Sequence, residues 1–286
     1  MSGIVVVGAG QAGASIVETL RAEGHAGPVT LLGDEGAAPY QRPPLSKKYL
    51  LGEMTRDRLL LRPEAFFAER GIDVRPEAGV ASVDAGAKTL TLSDGETLAW
   101  DKLAFATGAR PRLLPAELGG ALAGVHPVRT LADVDAMRAA FEPGRRLLVV
   151  GGGYIGLEAA AVAAKLGLSV TVIEAAPRIL GRVACAETAA WFAALHRGHG
   201  VDLREGVGLR RLEGEAGRLT HAVLADGGTL EVDFAVVGIG VLPNTELAEA
   251  AGCALDNGIA VDAACRTSVA DVFAAGDCAS FPWRGA

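Results

Sequence analysis

Two stretches of the chain share one rhythm of apolar and small residues. Ile4-Val5-Val6-Val7 is a short β-branched run that breaks at once into Gly8-Ala9-Gly10-Gln11-Ala12-Gly13. An Ala/Ile/Val/Leu-rich segment at helical spacing follows, and then the apolar run Val29-Thr30-Leu31-Leu32. Further on, Leu147-Leu148-Val149-Val150 breaks into Gly151-Gly152-Gly153-Tyr154-Ile155-Gly156, with a helix predicted over 157–166 and a second run at Val170-Thr171-Val172-Ile173. Short apolar runs bounded by glycine read as buried strands, and the 3.6-residue spacing between them reads as a helix. Each stretch is therefore a βαβ unit.

A second echo follows each unit. Thr89-Leu90-Thr91-Leu92 and Thr97-Leu98-Ala99-Trp100 alternate around Asp94-Gly95, a hairpin signal, and residues 103–108 predict a closing strand. Residues 221–224 and 229–232 flank Asp226-Gly227-Gly228 in the same way, with a closing strand predicted at 235–240. The expected fold class is α/β, with two Rossmann-like dinucleotide-binding domains, each carrying an antiparallel β excursion.

Bulk properties narrow the picture a little. The 286 residues exceed one ordinary domain, half are hydrophobic, and 38 glycines sit mostly between apolar runs. A net charge of −7 disfavours a general nucleic-acid binder. No run approaches the roughly 20 apolar residues of a membrane span, and the opening Met1-Ser2-Gly3 shows no leader pattern, so a cytoplasmic location is expected. Cys185, Cys253, Cys265 and Cys278 form no close pair and no metal-ligand spacing, so no metal site is expected.

Both G-x-G-x-x-G turns follow a strand and open a helix, the context that gives the motif its mechanism. The first glycine makes the turn, the second admits the pyrophosphate, and the third lets helix and strand pack. The helix N-terminus then presents free N–H groups to the phosphates. Glu174, directly after the second run of its unit, is placed to bind an adenosine 2′-hydroxyl and to repel a 2′-phosphate. NADH is thereby favoured over NADPH, although Arg178 and Arg182 lie not far beyond. In the first unit Gly33 takes that place, leaving Asp34 or Glu35 for the ribose, Asp34 by preference.

Four segments together resemble a known family: Tyr40-Gln41-Arg42-Pro43-Pro44-Leu45-Ser46-Lys47, Ala106-Thr107-Gly108-Ala109-Arg110-Pro111-Arg112, residues 151–158, and Ala274-Ala275-Gly276-Asp277-Cys278. They are similar to FAD-dependent ferredoxin reductases of bacterial cytochrome P450 and ring-hydroxylating oxygenase systems, within the flavoprotein disulfide reductase superfamily. The resemblance implies a glutathione-reductase-like fold, with an FAD-binding domain over 1–112 and 244–286 and an NAD-binding domain over 113–243. Gly8, Gly10 and Gly13 would surround the FAD pyrophosphate and Asp34 its ribose. Val80 would lie near the adenine, with Thr107, Gly108, Arg129 and Asp277 also against the cofactor. Gly151, Gly153, Gly156, Glu174 and Gly240 would bind NADH. Tyr154 and Ile155 would lie over the nicotinamide–flavin contact.

Lys47, paired with a first-turn Glu158, would stabilise the charge left on the flavin by hydride arrival, and these two are the expected catalytic residues. The lack of a redox cysteine pair points the electrons outward, singly, to a [2Fe–2S] ferredoxin. A rubredoxin reductase, an NADH oxidase and an NADH-sensing flavoprotein of the apoptosis-inducing-factor type are the alternatives. Arg42, Lys47, Lys48, Arg56, Arg58 and Arg62 could steer an acidic partner. Members of the family continue for over a hundred residues past the Gly-Asp element, so a C-terminal interface domain is expected to be missing from the chain as given.

Overall fold

A computed structural model describes residues 3–282; Met1, Ser2 and 283–286, on which the readings of the chain's opening and end partly fall, lie outside it. The chain divides into two compact units. The first comprises Met1–Gln41, Arg56–Arg110 and Leu242–Ala286; the second comprises Arg42–Thr55 and Pro111–Val241.

In the first unit, β1 (Gly3–Val7) runs through the glycine turn into α1 (Gln11–Ala22) and returns as β2 (Val29–Leu32). After α2 (Glu64–Glu69) come β3 (Ile72–Arg75), β4 (Val80–Asp84), β5 (Thr89–Leu92) and β6 (Thr97–Phe105). The sheet order is β3-β2-β1-β6-β5-β4. Its β1, β2 and β3 pair in parallel, and β4 and β5 are antiparallel. The hairpin strand and closing strand predicted separately at 97–100 and 103–108 are one nine-residue strand. Its first residues pair antiparallel with β5, while its last pair in parallel with β1. One strand thus serves both the excursion and the nucleotide-binding core. Val6, Val17 and Leu31 are wholly buried, which is why the runs around the first glycine turn are apolar throughout.

Beyond β7 (Ala109–Pro111), the second unit opens with β8 (Val125–His126) and α3 (Leu131–Arg138), whose Thr130 forms a capping box with Asp133. The second βαβ unit is β9 (Arg146–Val150), α4 (Tyr154–Lys165) and β10 (Ser169–Glu174). Then follow α5 (Ala186–Gly198), β11 (Asp202–Glu205), β12 (Leu209–Glu215), β13 (Arg218–Leu224), β14 (Thr229–Glu231) and β15 (Phe234–Val237). A five-stranded sheet runs β11-β10-β9-β15-β8, and the excursion is a separate three-stranded sheet β12-β13-β14. Its first strand, β12, alternates too weakly between charged residues to announce itself in the sequence.

The segment Arg42–Thr55 belongs to this second unit by contact. Within it, Leu45–Tyr49 forms a short π-type turn that departs from helical geometry at Lys47 (φ −127°, ψ −109°). Tyr49 donates to Asp135 Oδ1 at 2.7 Å and lies under the Arg138 guanidinium at 5.6 Å, and Glu53 pairs with Lys165 at 2.8 Å.

The chain then returns to the first unit through β16 (Val241–Pro243), α6 (Glu246–Ala250), β17 (Ile259–Ala260), β18 (Val272–Ala274) and β19 (Ala279–Ser280). There β18 adds in parallel to β6. Cys253 and Cys278 are buried in that core, burial pushing the Cys253 thiol up, and all four cysteines are free. No described helix is long and apolar enough to cross a membrane.

Candidate functional site

The two glycine turns have nearly superimposable local geometry. Gly8 and Gly151 take φ of +114° and +109°, a region that L side chains avoid, and each donates its N–H to the end of the neighbouring strand (Leu32 O at 2.8 Å, Ile173 O at 2.9 Å). A Cβ added at Gly13 would collide with Gly8 O, and one at Gly156 with Gly151 O, so the third glycine of each motif is required by helix-to-strand packing. The second glycine differs. Gly10 and Gly153 have ordinary extended backbones, and a Cβ at either would meet nothing within 4 Å. Neither conformation nor packing demands glycine there, which leaves a bound group as the neighbour that would need the space.

Both helices also begin without a side-chain cap and without an acid in the first turn. Their first N–H groups lack intrahelical partners, and the helix dipole adds partial positive charge. The cradles fit two anionic dinucleotides.

Two of the other expected cofactor positions of the first unit lie beside its cradle, at Thr107 and next to Asp277. Thr107 abuts Gly8, because a Cβ on that glycine would come within 2.9 Å of the Thr107 amide nitrogen. Gly276, next to Asp277, lies against Ala12 in the first turn of α1. Asp34 is exposed just past β2, and its Cβ lies near Gly79, the residue before Val80. Glu35 accepts the Tyr40 hydroxyl, whereas the Asp34 carboxylate makes no hydrogen bond to a described residue.

Asn244 had no role in the sequence reading, yet it organises this corner. Its Nδ2 donates to Thr107 O at 2.8 Å, its carbonyl accepts the Thr107 hydroxyl at 2.6 Å, and its backbone N–H donates to Gly108 O at 2.9 Å. A turn before an acidic helix start, Pro243-Asn244-Thr245-Glu246, is the signal that could have found it.

In the second unit, both Glu174 oxygens are already engaged. Oε2 accepts the Gly152 N–H and Oε1 the Ala176 N–H, each at 2.7 Å. The carboxylate is therefore fixed, and it keeps lone pairs for a further donor. Arg178 is committed elsewhere, donating to the carbonyls of Ala184 at 2.9 Å and Gly181 at 3.2 Å. Gly240 (φ +109°) follows β15, with Arg182 nearby. Tyr154 and Ile155, at the start of α4, are 56% and 36% exposed.

Lys47 and Glu158 meet: Nζ lies 2.6 Å from Glu158 Oε2. That oxygen also accepts the Ser46 hydroxyl at 2.6 Å, and Ser46 is only 5% exposed. Ser46 stands in the motif but carried no assigned role. Glu158 is the fifth residue of α4, not a first-turn residue, because the helix begins inside the glycine motif at Tyr154. The helix dipole is correspondingly weaker there. Arg129 lies in the same unit, its carbonyl accepting from Arg42 Nη1 at 2.9 Å and its N–H donating to Asp133. Arg42, Lys47 and Lys48 fall in the second unit and Arg56, Arg58 and Arg62 in the first, so the basic run is divided in the fold.

Two strand–glycine–helix cradles with uncapped helix starts define a protein built to hold two dinucleotides. The model of the pyridine nucleotide-disulphide oxidoreductase family matches residues 2–285, and the chain belongs to that family. Rhodocoxin reductase of Rhodococcus erythropolis is 41% identical over 282 residues, covering 99% of this chain and 66% of the relative. The ferredoxin–NAD(+) reductase component of the biphenyl dioxygenase system of Paraburkholderia xenovorans is 42% identical over 281 residues, with 98% and 68% covered. Among solved structures, the covalent putidaredoxin reductase–putidaredoxin complex matches with a TM-score of 0.95 at 39% identity, covering 98% of this chain and 68% of that one. The chain thus spans about two thirds of the length of the curated relatives it matches. The family and these relatives imply a flavin and a pyridine nucleotide.

Proposed function

We propose that this chain is the reductase of a short cytoplasmic electron-transfer chain, oxidising NADH and delivering single electrons to a [2Fe–2S] ferredoxin. The observation that carries this reading is the pair of matched cradles, each with an open second glycine and an uncapped helix start. FAD, when bound, supplies the conversion of a two-electron donor into two one-electron deliveries.

Gly8, Gly10 and Gly13 hold its pyrophosphate and Asp34 its adenosine ribose. Val80 borders the adenine, and Thr107, Gly108, Arg129 and Asp277 complete the binding set. Gly151, Gly153, Gly156 and Gly240 hold the nicotinamide dinucleotide, and Tyr154 and Ile155 offer their exposed side chains to its nicotinamide end. NADH is preferred because Glu174 is held in place by two backbone donors, and Arg178 is occupied by its own loop. A 2′-phosphate would meet a fixed carboxylate with that arginine already engaged.

Lys47 and Glu158 form the catalytic pair. The Lys47 ammonium provides positive charge where reduction leaves negative charge, and Glu158 and Ser46 restrict where that ammonium can go. The four free cysteines, of which Cys253 and Cys278 are buried, offer no thiol pair to take the electrons instead and suit a reducing compartment.

The acceptor is tested by comparing NADH consumption with a [2Fe–2S] ferredoxin, a rubredoxin and oxygen. The ferredoxin is expected to give a kcat/KM at least tenfold above the others. A faster rate with rubredoxin or oxygen would reassign the acceptor and leave the NADH-oxidising half intact.

A further inference from the structure

The second unit contains a cavity of about 580 Å³ between α4 and α5, within the range that accommodates small organic ligands. Leu157, Leu180, Phe192, Leu195 and Val201 supply apolar wall, and Tyr154 and Glu158 stand at the edge. None of the glycines of the second cradle lines it.

Its distinguishing residue is His196. On α5 the inward face reads Ala189, Ala193, His196, so helical spacing puts an imidazole where a small apolar residue would be expected. His196 is 8% exposed and lines the cavity, and its imidazole makes no hydrogen bond to a described residue. Its ring nitrogens are not sealed from solvent, so a ligand hydroxyl can replace water as their partner.

The carboxylate and the ammonium at the cavity wall are already paired, and the His199 imidazole lines it as well. Glu158 pairs with Lys47, and Lys165 with Glu53. Burial, and then the neighbouring charge of His199, hold the His196 imidazole below the ordinary histidine range, which favours its neutral form. A neutral imidazole offers one donor and one acceptor, which a hydroxyl can satisfy from either side. The aromatic ring of Phe192 and the leucine side chains suit a flat apolar body.

We propose that this cavity is a binding site for an uncharged aromatic ligand carrying one hydroxyl, a phenol or aryl alcohol, with His196 as its polar anchor. The site is additional to the two dinucleotide cradles. A ligand there would also touch Tyr154 and Glu158, which places it beside residues proposed above to act in catalysis.

The test is calorimetric titration of the flavin-loaded protein with 1-naphthol, naphthalene and 1-naphthoate. 1-Naphthol is expected to bind once per chain, roughly tenfold or more tighter than either of the others, because only it meets His196 without bringing a charge. His196→Leu should remove the advantage of 1-naphthol over naphthalene. Ala161→Trp, at an exposed position of α4 on the cavity wall, should abolish binding of both without endangering the fold. The proposal is overturned if 1-naphthol gives no heat up to its solubility limit, if native protein binds naphthalene equally well, or if neither variant alters binding.

Discussion

At Glu158 a single carboxylate oxygen takes two donors, the Ser46 hydroxyl and the Lys47 ammonium, both at 2.6 Å. The ion pair is partly open to solvent, its side chains 45% and 32% exposed, so it contributes at most about 1 kcal/mol to folding. Lys47→Ala is therefore expected to leave thermal stability nearly unchanged while slowing NADH-driven flavin reduction about tenfold or more in a stopped-flow trace. Unchanged kinetics would return Lys47 to the surface.

Ser46→Ala should slow the same step severalfold without weakening NADH binding, and Ser46→Thr, which keeps the hydroxyl, should restore much of it. The lysine and glutamate were legible because each stood in a recognisable motif. Ser46 was in view but mute, since a hydroxyl declares its partner only when folding brings residues 46 and 158 together. Glu174 poses a different residue-scale question. Glu174→Arg is expected to raise the NADPH-to-NADH ratio of kcat/KM. It should also lower stability by about 1–2 kcal/mol, because the Gly152 and Ala176 N–H groups lose their acceptor. An unchanged cofactor ratio would remove Glu174 from the ribose site.

Among elements, the two glycine-to-helix turns separate what glycine does for the chain from what it does for a ligand. Gly10→Ala and Gly153→Ala introduce a methyl group that meets nothing in the protein. Both variants should melt within a degree or two of the parent, yet lose FAD and NADH affinity respectively. Gly8→Ala, at φ +114° and against Ala106 O, should instead fail to fold. If Gly10→Ala destabilised the apoprotein as strongly, its glycine would be a packing residue and not a place kept open for a ligand.

The start of β9 is clamped to the approach to β15: Asp233 accepts the Arg146 N–H and guanidinium, each at 2.8 Å. The hydrogen bond from the Arg146 side chain holds the Asp233 carboxyl below the usual carboxylate range. A depressed folded-state pKa gives stability that is fully present above the unfolded-state value, near 4, and lost as pH falls through the folded-state value. Asp233→Ala should thus cost about 1 kcal/mol near neutral pH, measured by denaturant unfolding, and the difference should vanish in strong acid. The βαβ units were legible because their strands are buried on both faces and read as unbroken apolar runs. The long β6 was not, because its polar Asp101 and Lys102 interrupt the run while the backbone continues straight through.

Over the whole molecule, the duplication visible in the glycine spacing corresponds to two sheets, each with parallel strands around a strand–glycine–helix turn. What the linear pattern concealed was the membership of Arg42–Thr55, which lies within first-unit sequence but makes its contacts in the second. Nothing in its local pattern records this. Its allegiance rests on Tyr49 with Asp135, Glu53 with Lys165 and Lys47 with Glu158, contacts between residues distant in sequence.

The central claim, that the chain holds a flavin which NADH reduces, is met most directly by anaerobic titration of the purified protein with NADH while the flavin absorbance is followed. The chain should be yellow, or become so when FAD is added, and one equivalent of NADH should bleach it. A colourless protein that takes up no FAD, or a bound flavin that NADH leaves oxidised, would contradict it.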